Sequence, residues 1–240
     1  MGTLYIVGTP IGNLDDITVR AIKTLFSVDY IACEDTRVTG QLLSSLELRM
    51  KNSDFIIKGI ELKKPKLISF YDEIEAVKTP EIISLLIDGK NVALVSDSGM
   101  PLISDPGYKL VQECIKRDIN YTVVPGASSL LSALILSGLP ANNFMFLGYM
   151  PDTENKKLGV LNQLKKGNTG RKQSISVIFF ETPHRLRATL ETIREEMGEI
   201  DIVIVREMTK VHEEVWRGKI SESILQFTTP KGEFVLLFRL

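Results

Sequence analysis

Two glycine- and proline-rich loops, each directly after a short apolar run, constrain this chain more than any other feature of its sequence. The first follows Leu4-Tyr5-Ile6-Val7 and reads Gly8-Thr9-Pro10-Ile11-Gly12-Asn13-Leu14. The second follows Val92-Ala93-Leu94-Val95 and runs from Ser96 through Asp97, Ser98, Gly99, Met100 and Pro101 to Tyr108. Loops at the carboxyl ends of strands in an open α/β sheet are where small ligands bind. Glycine lets the backbone approach a ligand closely, and proline holds the loop's shape. Two such loops imply a cofactor pocket.

The rest of the first half alternates β-branched runs with helical spacing. Strands are expected at Leu4–Val7, Tyr30–Cys33, Lys66–Phe70, Val92–Val95 and Tyr121–Val124, with helices at Ile17–Phe26, Thr36–Leu46, Pro80–Asp88, Gly107–Lys116 and Ser128–Leu136 between and after them. Asp15 or Asp16 is placed to cap the first helix. Such alternation implies βαβ units and a mainly parallel sheet with helices on both faces. The break Gly138-Leu139-Pro140-Ala141-Asn142-Asn143 marks a boundary, giving domains 1–140 and 141–240. In the second, strands at Met145–Gly148, Ser176–Phe180, Ile202–Val205 and Phe234–Arg239 are separated by helices near Lys156–Lys165, Pro183–Glu196 and Ser221–Phe227. A strand near Glu213–Arg217 forms a hairpin with Ile202–Val205, so this sheet is expected to be mixed. Residues 49–66 read as a lysine-rich connector and 167–173 as a second exposed loop.

Composition narrows the function. With 44% hydrophobic and 25% charged residues the chain is ordinary for a soluble, folded protein. No apolar run is long enough for a bilayer, and the chain opens on a strand without a basic leader, so a cytoplasmic location is expected. Cys33 and Cys114 have no partner at metal-ligand spacing and read as buried, reduced thiols. A net charge of -1 argues against a free-standing binder of naked nucleic acid. It leaves room for an enzyme that meets RNA inside a ribonucleoprotein, where shape does more of the recognition.

Several segments carry a family resemblance: Thr9 to Leu14 with Asp16-Ile17-Thr18, Glu34-Asp35-Thr36-Arg37, the loop Val95–Tyr108, Pro125-Gly126-Ala127-Ser128-Ser129, Ser137-Gly138-Leu139-Pro140, Phe180-Glu181-Thr182-Pro183-His184-Arg185, Arg206-Glu207-Met208-Thr209-Lys210 with Glu213-Glu214, and Lys231-Gly232-Glu233-Phe234. In this order they resemble the tetrapyrrole-methylase superfamily, and within it the branch that methylates the ribose 2′-oxygen of a cytidine in small-subunit rRNA. The resemblance implies two α/β domains enclosing S-adenosylmethionine, a homodimer, and 16S rRNA of the small ribosomal subunit as partner, with the target cytidine in the decoding centre. It implies cofactor contacts from Pro10, Asp97, Ser98, Gly99, Met100, Ile103, Ala127 and Ser128, and from the second-domain segments around Tyr149 and Arg206. The chain departs from the family pattern at Met100, where threonine is usual, and at Phe70-Tyr71-Asp72-Glu73, where a histidine-rich run is usual. A short helical tail often found after the last strand in the family is also missing here.

Methyl transfer to a ribose hydroxyl needs in-line positioning, an outlet for the hydroxyl proton and exclusion of water. It calls for neither a metal nor a covalent intermediate. The proton needs a base or an alkoxide-stabilising cation, and the candidates are polar residues at strand ends. Glu34 and Asp35 directly follow one apolar run; Glu207 and Lys210 follow another. Converging charges either lower the pKa of Lys210 or raise that of a carboxylate, and the expected pairing is Lys210 with Glu207 or Glu34. Glu34-Asp35 equally suits a cap for the helix beginning near Thr36. Arg37 either holds one of these acids ionised or grips a phosphate. Arg37, His184 and Arg185 are the candidates for RNA backbone contact, with Arg171 and Lys172 reaching from their loop. Lys156-Lys157 and Lys165-Lys166 read more simply as exposed faces.

Three other readings compete. Glu34 stands roughly where a dinucleotide-binding acid would, but Gly8-Thr9-Pro10-Ile11-Gly12 is not G-x-G-x-x-G, which weakens a nicotinamide-dependent oxidoreductase. The same fold with a tetrapyrrole or protein acceptor is a second, and a non-catalytic cofactor-binding module is a third.

Overall fold

Four-residue strands made almost wholly of apolar residues can be buried on both faces only if helices cover both sides of the sheet. The computed structural model describes residues 1–51, 63–168 and 174–240, and its first unit, Met1–Ser128, is built this way. Strands β1 (Leu4–Val7), β2 (Tyr30–Cys33), β3 (Lys66–Ser69), β4 (Val92–Val95) and β5 (Tyr121–Val124) pair in parallel in the order β3-β2-β4-β1-β5. Successive residues point to opposite faces. Val7, Ile31, Cys33, Ala93 and Val95 therefore pack with Ile22, Leu25 and Leu46 of helices α1 (Val19–Leu25) and α2 (Thr36–Lys51). Leu4, Ala32, Val92 and Leu94 meet Ile82, Leu86, Leu110 and Cys114 of α3 (Asp72–Ile87) and α4 (Tyr108–Lys116) on the other face.

This order puts β1 beside β4, and the chain leaves these neighbours in opposite directions. From β1 it runs toward β2 and β3; from β4 it runs across β1 to β5. The helices that follow lie on opposite faces, so the two loops part at adjacent strand ends. That is the topological switch point at which open α/β sheets bind ligands.

Three local expectations change. Helix α2 runs on past Leu46 to Lys51, into the stretch read as a connector, whose residues 52–62 lie outside the described ones. Helix α3 begins at Asp72, not at Pro80, because Asp72, Glu73 and Glu75 in its first turn suit the positive end of the helix dipole. Pro80 is carried inside the helix, where it removes one backbone bond. Helix α1 is capped by Thr18, whose hydroxyl accepts from the Ala21 amide at 3.0 Å. Asp15 and Asp16 instead sit in a 3-10 turn, Leu14–Asp16, capped by the Asn13 side chain.

The second unit, Ser129–Leu240, holds the mixed sheet. Strands β6 (Phe144–Tyr149), β7 (Ser176–Glu181), β8 (Asp201–Arg206), β9 (Glu214–Lys219) and β10 (Phe234–Arg239) run in the order β6-β7-β10-β8-β9. Only β6 and β7 pair in parallel among these neighbours, and β8 and β9 form the expected hairpin. Phe179, Leu190, Leu236 and Phe238 centre the core under α6 (Glu154–Asn168), α7 (Pro183–Met197) and α8 (Ile220–Gln226). Helix α5 (Ser129–Ser137) packs on β8 and β10, and Arg217 donates to the carbonyls of Leu136 and Ser137 at its end. The division between units accordingly falls before α5 rather than at the break 138–143. Lys157, expected on an exposed face, is buried on α6. No helix among the described residues is long and apolar enough to cross a membrane.

Candidate functional site

Glycine brings three loops of the first unit into backbone contact. A Cβ on Gly8 would lie 2.8 Å from the Gly126 backbone and 2.6 Å from the Met100 sulfur, and one on Gly126 would strike Gly8 at 2.9 Å. Neither position can carry a side chain without moving a backbone. The Thr9 amide donates to the Gly99 carbonyl at 2.9 Å, and its buried hydroxyl donates to the Ser96 carbonyl at 3.2 Å. Gly99 adopts φ +82°, and two non-glycine residues, Leu102 and Ser104, also lie in the left-handed region at 71° and 72°. Such conformations persist only where their surroundings over-determine them, and they cluster at ligand sites. The far end of the loop is held by Glu75, a buried α3 residue. Its Oε1 accepts from the Gly107 and Lys109 amides at 3.0 and 2.9 Å and so caps α4.

This geometry sorts the expected cofactor contacts. Gly99 is buried in the loop framework, Pro10, Met100, Ala127 and Ser128 are half-buried, and Asp97, Ser98 and Ile103 face solvent. Tyr149 is exposed at the end of β6, and its ring meets Phe180 edge-on. Arg206 is fixed by the Lys231 carbonyl at 2.6 Å and by Glu214 at 3.3 Å.

Carboxyl groups gather at the ends of β2, β3 and β4. Glu34 follows β2, and burial, then the charges of Asp105 and Asp97, push its carboxyl up to about 7; the Asp97 amide opposes the shift. Its Oε1 is buried without a hydrogen-bond partner among the described residues. Asp105 is pushed up to about 6, first by burial and then by Asp72 and Asp97, against a hydrogen bond from Ser96. Although Asp97 is an exposed residue, partial enclosure of its carboxyl, with the charge of Asp35, raises it, and its Oδ1 accepts from the Asp35 amide at 3.1 Å. Asp35 behaves oppositely. Arg37 holds it down to about 2 with contacts at 2.6 and 3.0 Å, and its Oδ1 accepts from the Arg37 amide at 2.8 Å, capping α2. A carboxylate held ionised in this way is a poor proton acceptor, so the half-buried Asp35 acts as the helix cap.

In the second unit, Glu207 and Thr209 take left-handed φ of 50° and 64° just after β8. The Lys210 ammonium lies 3.0 Å from both Glu207 Oε1 and Glu233 Oε2. Burial works to lower the Lys210 pKa, but Glu233 and Glu207 outweigh it and the pKa is raised. Glu207 is correspondingly lowered: burial opposes, while the Glu233 amide and Lys210 prevail. The convergence of charges thus strengthens the ammonium. Lys210 is a cation in this arrangement, not a base.

Among the RNA candidates, Arg37 is exposed but paired with Asp35, and His184 is exposed with its ring 3.3 Å from the Thr182 hydroxyl. Arg185 is taken up inside its unit by Asp152, the Met150 carbonyl and the buried Glu181 carboxylate at 3.2 Å, so backbone contact with RNA is not open to it as it was expected to be. Arg171 and Lys172 lie outside the described residues. Sequence reasoning missed Gly8 facing Gly126, the Glu75 cap and the Asp105 carboxyl. The Gly-Thr-Pro and Pro-Gly-Ala spellings were the signal for the first; nothing local marks Glu75.

A parallel sheet with glycine loops at its switch point in the first unit and a mixed sheet in the second define a two-unit α/β architecture. The chain belongs to the tetrapyrrole (corrin/porphyrin) methylase family, whose model matches residues 3–223. Among its relatives, the ribosomal RNA small subunit methyltransferase I of Thermotoga maritima is 46% identical over 239 residues, covering 99% of this chain and 98% of its own. The protein of the same name from Hydrogenobaculum sp. is 42% identical, covering 98% and 94%. Solved structures of uroporphyrin-III-C-methyltransferase from Thermus thermophilus (TM-score 0.62, 19% identity, 99% and 94% coverage) and of diphthine synthase (0.68, 14%, 99% and 89%) share the fold.

Proposed function

We propose that this chain is an S-adenosylmethionine-dependent methyltransferase acting on the ribose 2′-oxygen of a cytidine in 16S rRNA, at the decoding centre of the small ribosomal subunit. The meeting of the β1, β4 and β5 loops through Gly8, Gly99 and Gly126 carries the reading. The residues there fit the cofactor. Gly99 lets the β4 loop close on Thr9 and shapes the cradle, Met100 and Ile103 give apolar surface, and Asp97 and Asp105 suit ribose hydroxyls and positive charge. The family resemblance supports Tyr149 and Arg206 as further cofactor contacts. When bound, S-adenosylmethionine supplies an electrophilic methyl carbon.

The chain's own residues supply the rest. Glu34, with its unpartnered oxygen and a pKa of about 7, accepts the proton of the attacking hydroxyl. Lys210, kept charged by Glu207 and Glu233, stabilises negative charge on the ribose-phosphate once the exposed Glu233 side chain gives way to it. Arg37 and His184, with Arg171 and Lys172, contact the RNA backbone. The near-neutral net charge favours the assembled subunit over free rRNA as substrate. That substrate implies a cytoplasmic enzyme, and the family resemblance supports a homodimer.

The test is incubation with tritiated S-adenosylmethionine and small subunits from a strain lacking this gene, followed by nuclease mapping. Label in a 2′-O-methylcytidine is expected. Label in another nucleotide, or none despite measurable cofactor binding, overturns the acceptor or the activity respectively.

A further inference from the structure

An outer groove of about 480 Å³ between α3 and α4 takes no part in the chemistry above. Its size falls within the ~300–1,000 Å³ of typical ligand pockets, and it lies wholly in the first unit. One wall is apolar: Ala76, Pro80 and Ile83 of α3, faced by the Tyr108 ring, which is 68% exposed. The other wall carries surplus positive charge. Lys116 and Arg117 share one carboxylate, Glu113, at 2.8 and 3.2 Å. Lys109 stands 3.8 Å from Glu75, whose carboxylate already serves two amides. Each of the three cationic side chains is more than half exposed.

We infer that this groove binds an unstacked nucleotide of the RNA substrate. The base lies against Tyr108 and the Pro80–Ile83 wall, and the phosphates lie along Lys116 and Arg117. Proteins hold single-stranded nucleic acid by this combination of an aromatic platform and a cationic track. An acidic peptide would answer the cations but leave the ring without a counterpart. Position agrees at one end, because Tyr108 directly follows Gly107, the last residue of the β4–α4 loop, so the aromatic end of the groove lies at the same sheet edge as the glycine loops, with Lys116 and Arg117 at the far end of α4. The inference rests on RNA being the acceptor.

Binding of a short fluorescein-labelled single-stranded RNA to the full chain tests it without requiring turnover. Tyr108→Ala is expected to weaken binding about 5- to 150-fold, the ~1–3 kcal/mol of one stacked base, while Tyr108→Phe restores it. Lys116→Gln with Arg117→Gln should flatten the dependence of log affinity on log salt by about 1.4, at ~0.7 per phosphate. Cofactor affinity of that double variant should match wild type, which checks folding. Unchanged RNA binding by Tyr108→Ala overturns the inference. So does normal RNA binding with impaired methylation of subunits, which would assign the groove to a ribosomal protein. Failure of the wild-type chain to methylate any RNA would instead overturn the functional reading, since groove binding is scored independently of turnover.

Discussion

Glu34 ends an apolar strand and turns its carboxyl into a buried corner already holding Asp97 and Asp105, so its proton is lost only near neutral pH. A base with this pKa makes kcat/KM rise with pH through about 7 and then level. Glu34→Gln should lower kcat by about 10²–10⁴-fold, the usual worth of a positioned general base, and abolish that rise. The same group leaves a mark on stability. Its folded pKa exceeds its unfolded value, so the native state holds the extra proton between them. Its contribution to stability is complete below about 4.5 and is lost as pH rises through about 7. Glu34→Gln should therefore melt higher than wild type at pH 8, by about 2–4 °C if roughly 1 kcal/mol is relieved, and lose that advantage at pH 4; scanning calorimetry at the two values decides it. Lys210→Ala separates the two roles. It should lower turnover yet keep the rise near 7, and loss of that rise would return the base role to Lys210. At this scale the sequence marks which strand ends carry acid and base but not their protonation. Asp35 and Glu34 are neighbours with opposite shifts, and only the Arg37 contact and the burial of one side chain tell them apart.

The β4–α4 loop shows how elements turn such residues into a site. It contains four left-handed residues, Gly99, Leu102, Ser104 and Gly107, and is tied to β1 by Thr9 and to α3 by Glu75. Glu75→Ala leaves the Gly107 and Lys109 amides without their acceptor and should destabilise the protein by about 1–3 kcal/mol, with weaker cofactor binding. Gly126→Ala forces a methyl group into the Gly8 backbone and should cost a similar ~1–3 kcal/mol of overpacking. Urea unfolding measures both, and a neutral Gly126→Ala would show that the two backbones are not pressed together. Most elements were legible because their signals are local: β1, β2, β4, β5 and β10 stand where their apolar runs do. Helix α3 was not. Its Pro80 reads as a start signal, while the acidic first turn of Asp72, Glu73 and Glu75 and the burial of Glu75 go with a helix that begins earlier. Strand order was also beyond local patterning, since β4 is inserted between β1 and β2 by long-range pairing.

For the whole molecule the decisive quantity is charge and how it is spent. Twenty-nine lysines and arginines face thirty acids, and many of the cations sit on carboxylates, as in Arg37–Asp35, Lys63–Asp29, Arg187–Glu191 and Lys219–Asp201. Each such pair must be opened before its cation can neutralise a phosphate, so naked rRNA gains little from them. Lys210 is bound to two carboxylates, the reverse of the α3–α4 groove, where two cations share one. Affinity for free 16S rRNA should therefore depend weakly on salt, with a slope of log affinity against log salt near −2, as for about three phosphates on a single strand. Assembled small subunits, which present the target nucleotide in a fixed fold, should be methylated well ahead of protein-free 16S rRNA at the same concentration. Filter binding across a salt series, paired with tritium transfer to the two substrates, measures both quantities. A slope of −6 or steeper, together with equal methylation of free rRNA, would mean that the paired cations open readily, and recognition would then be electrostatic rather than by shape.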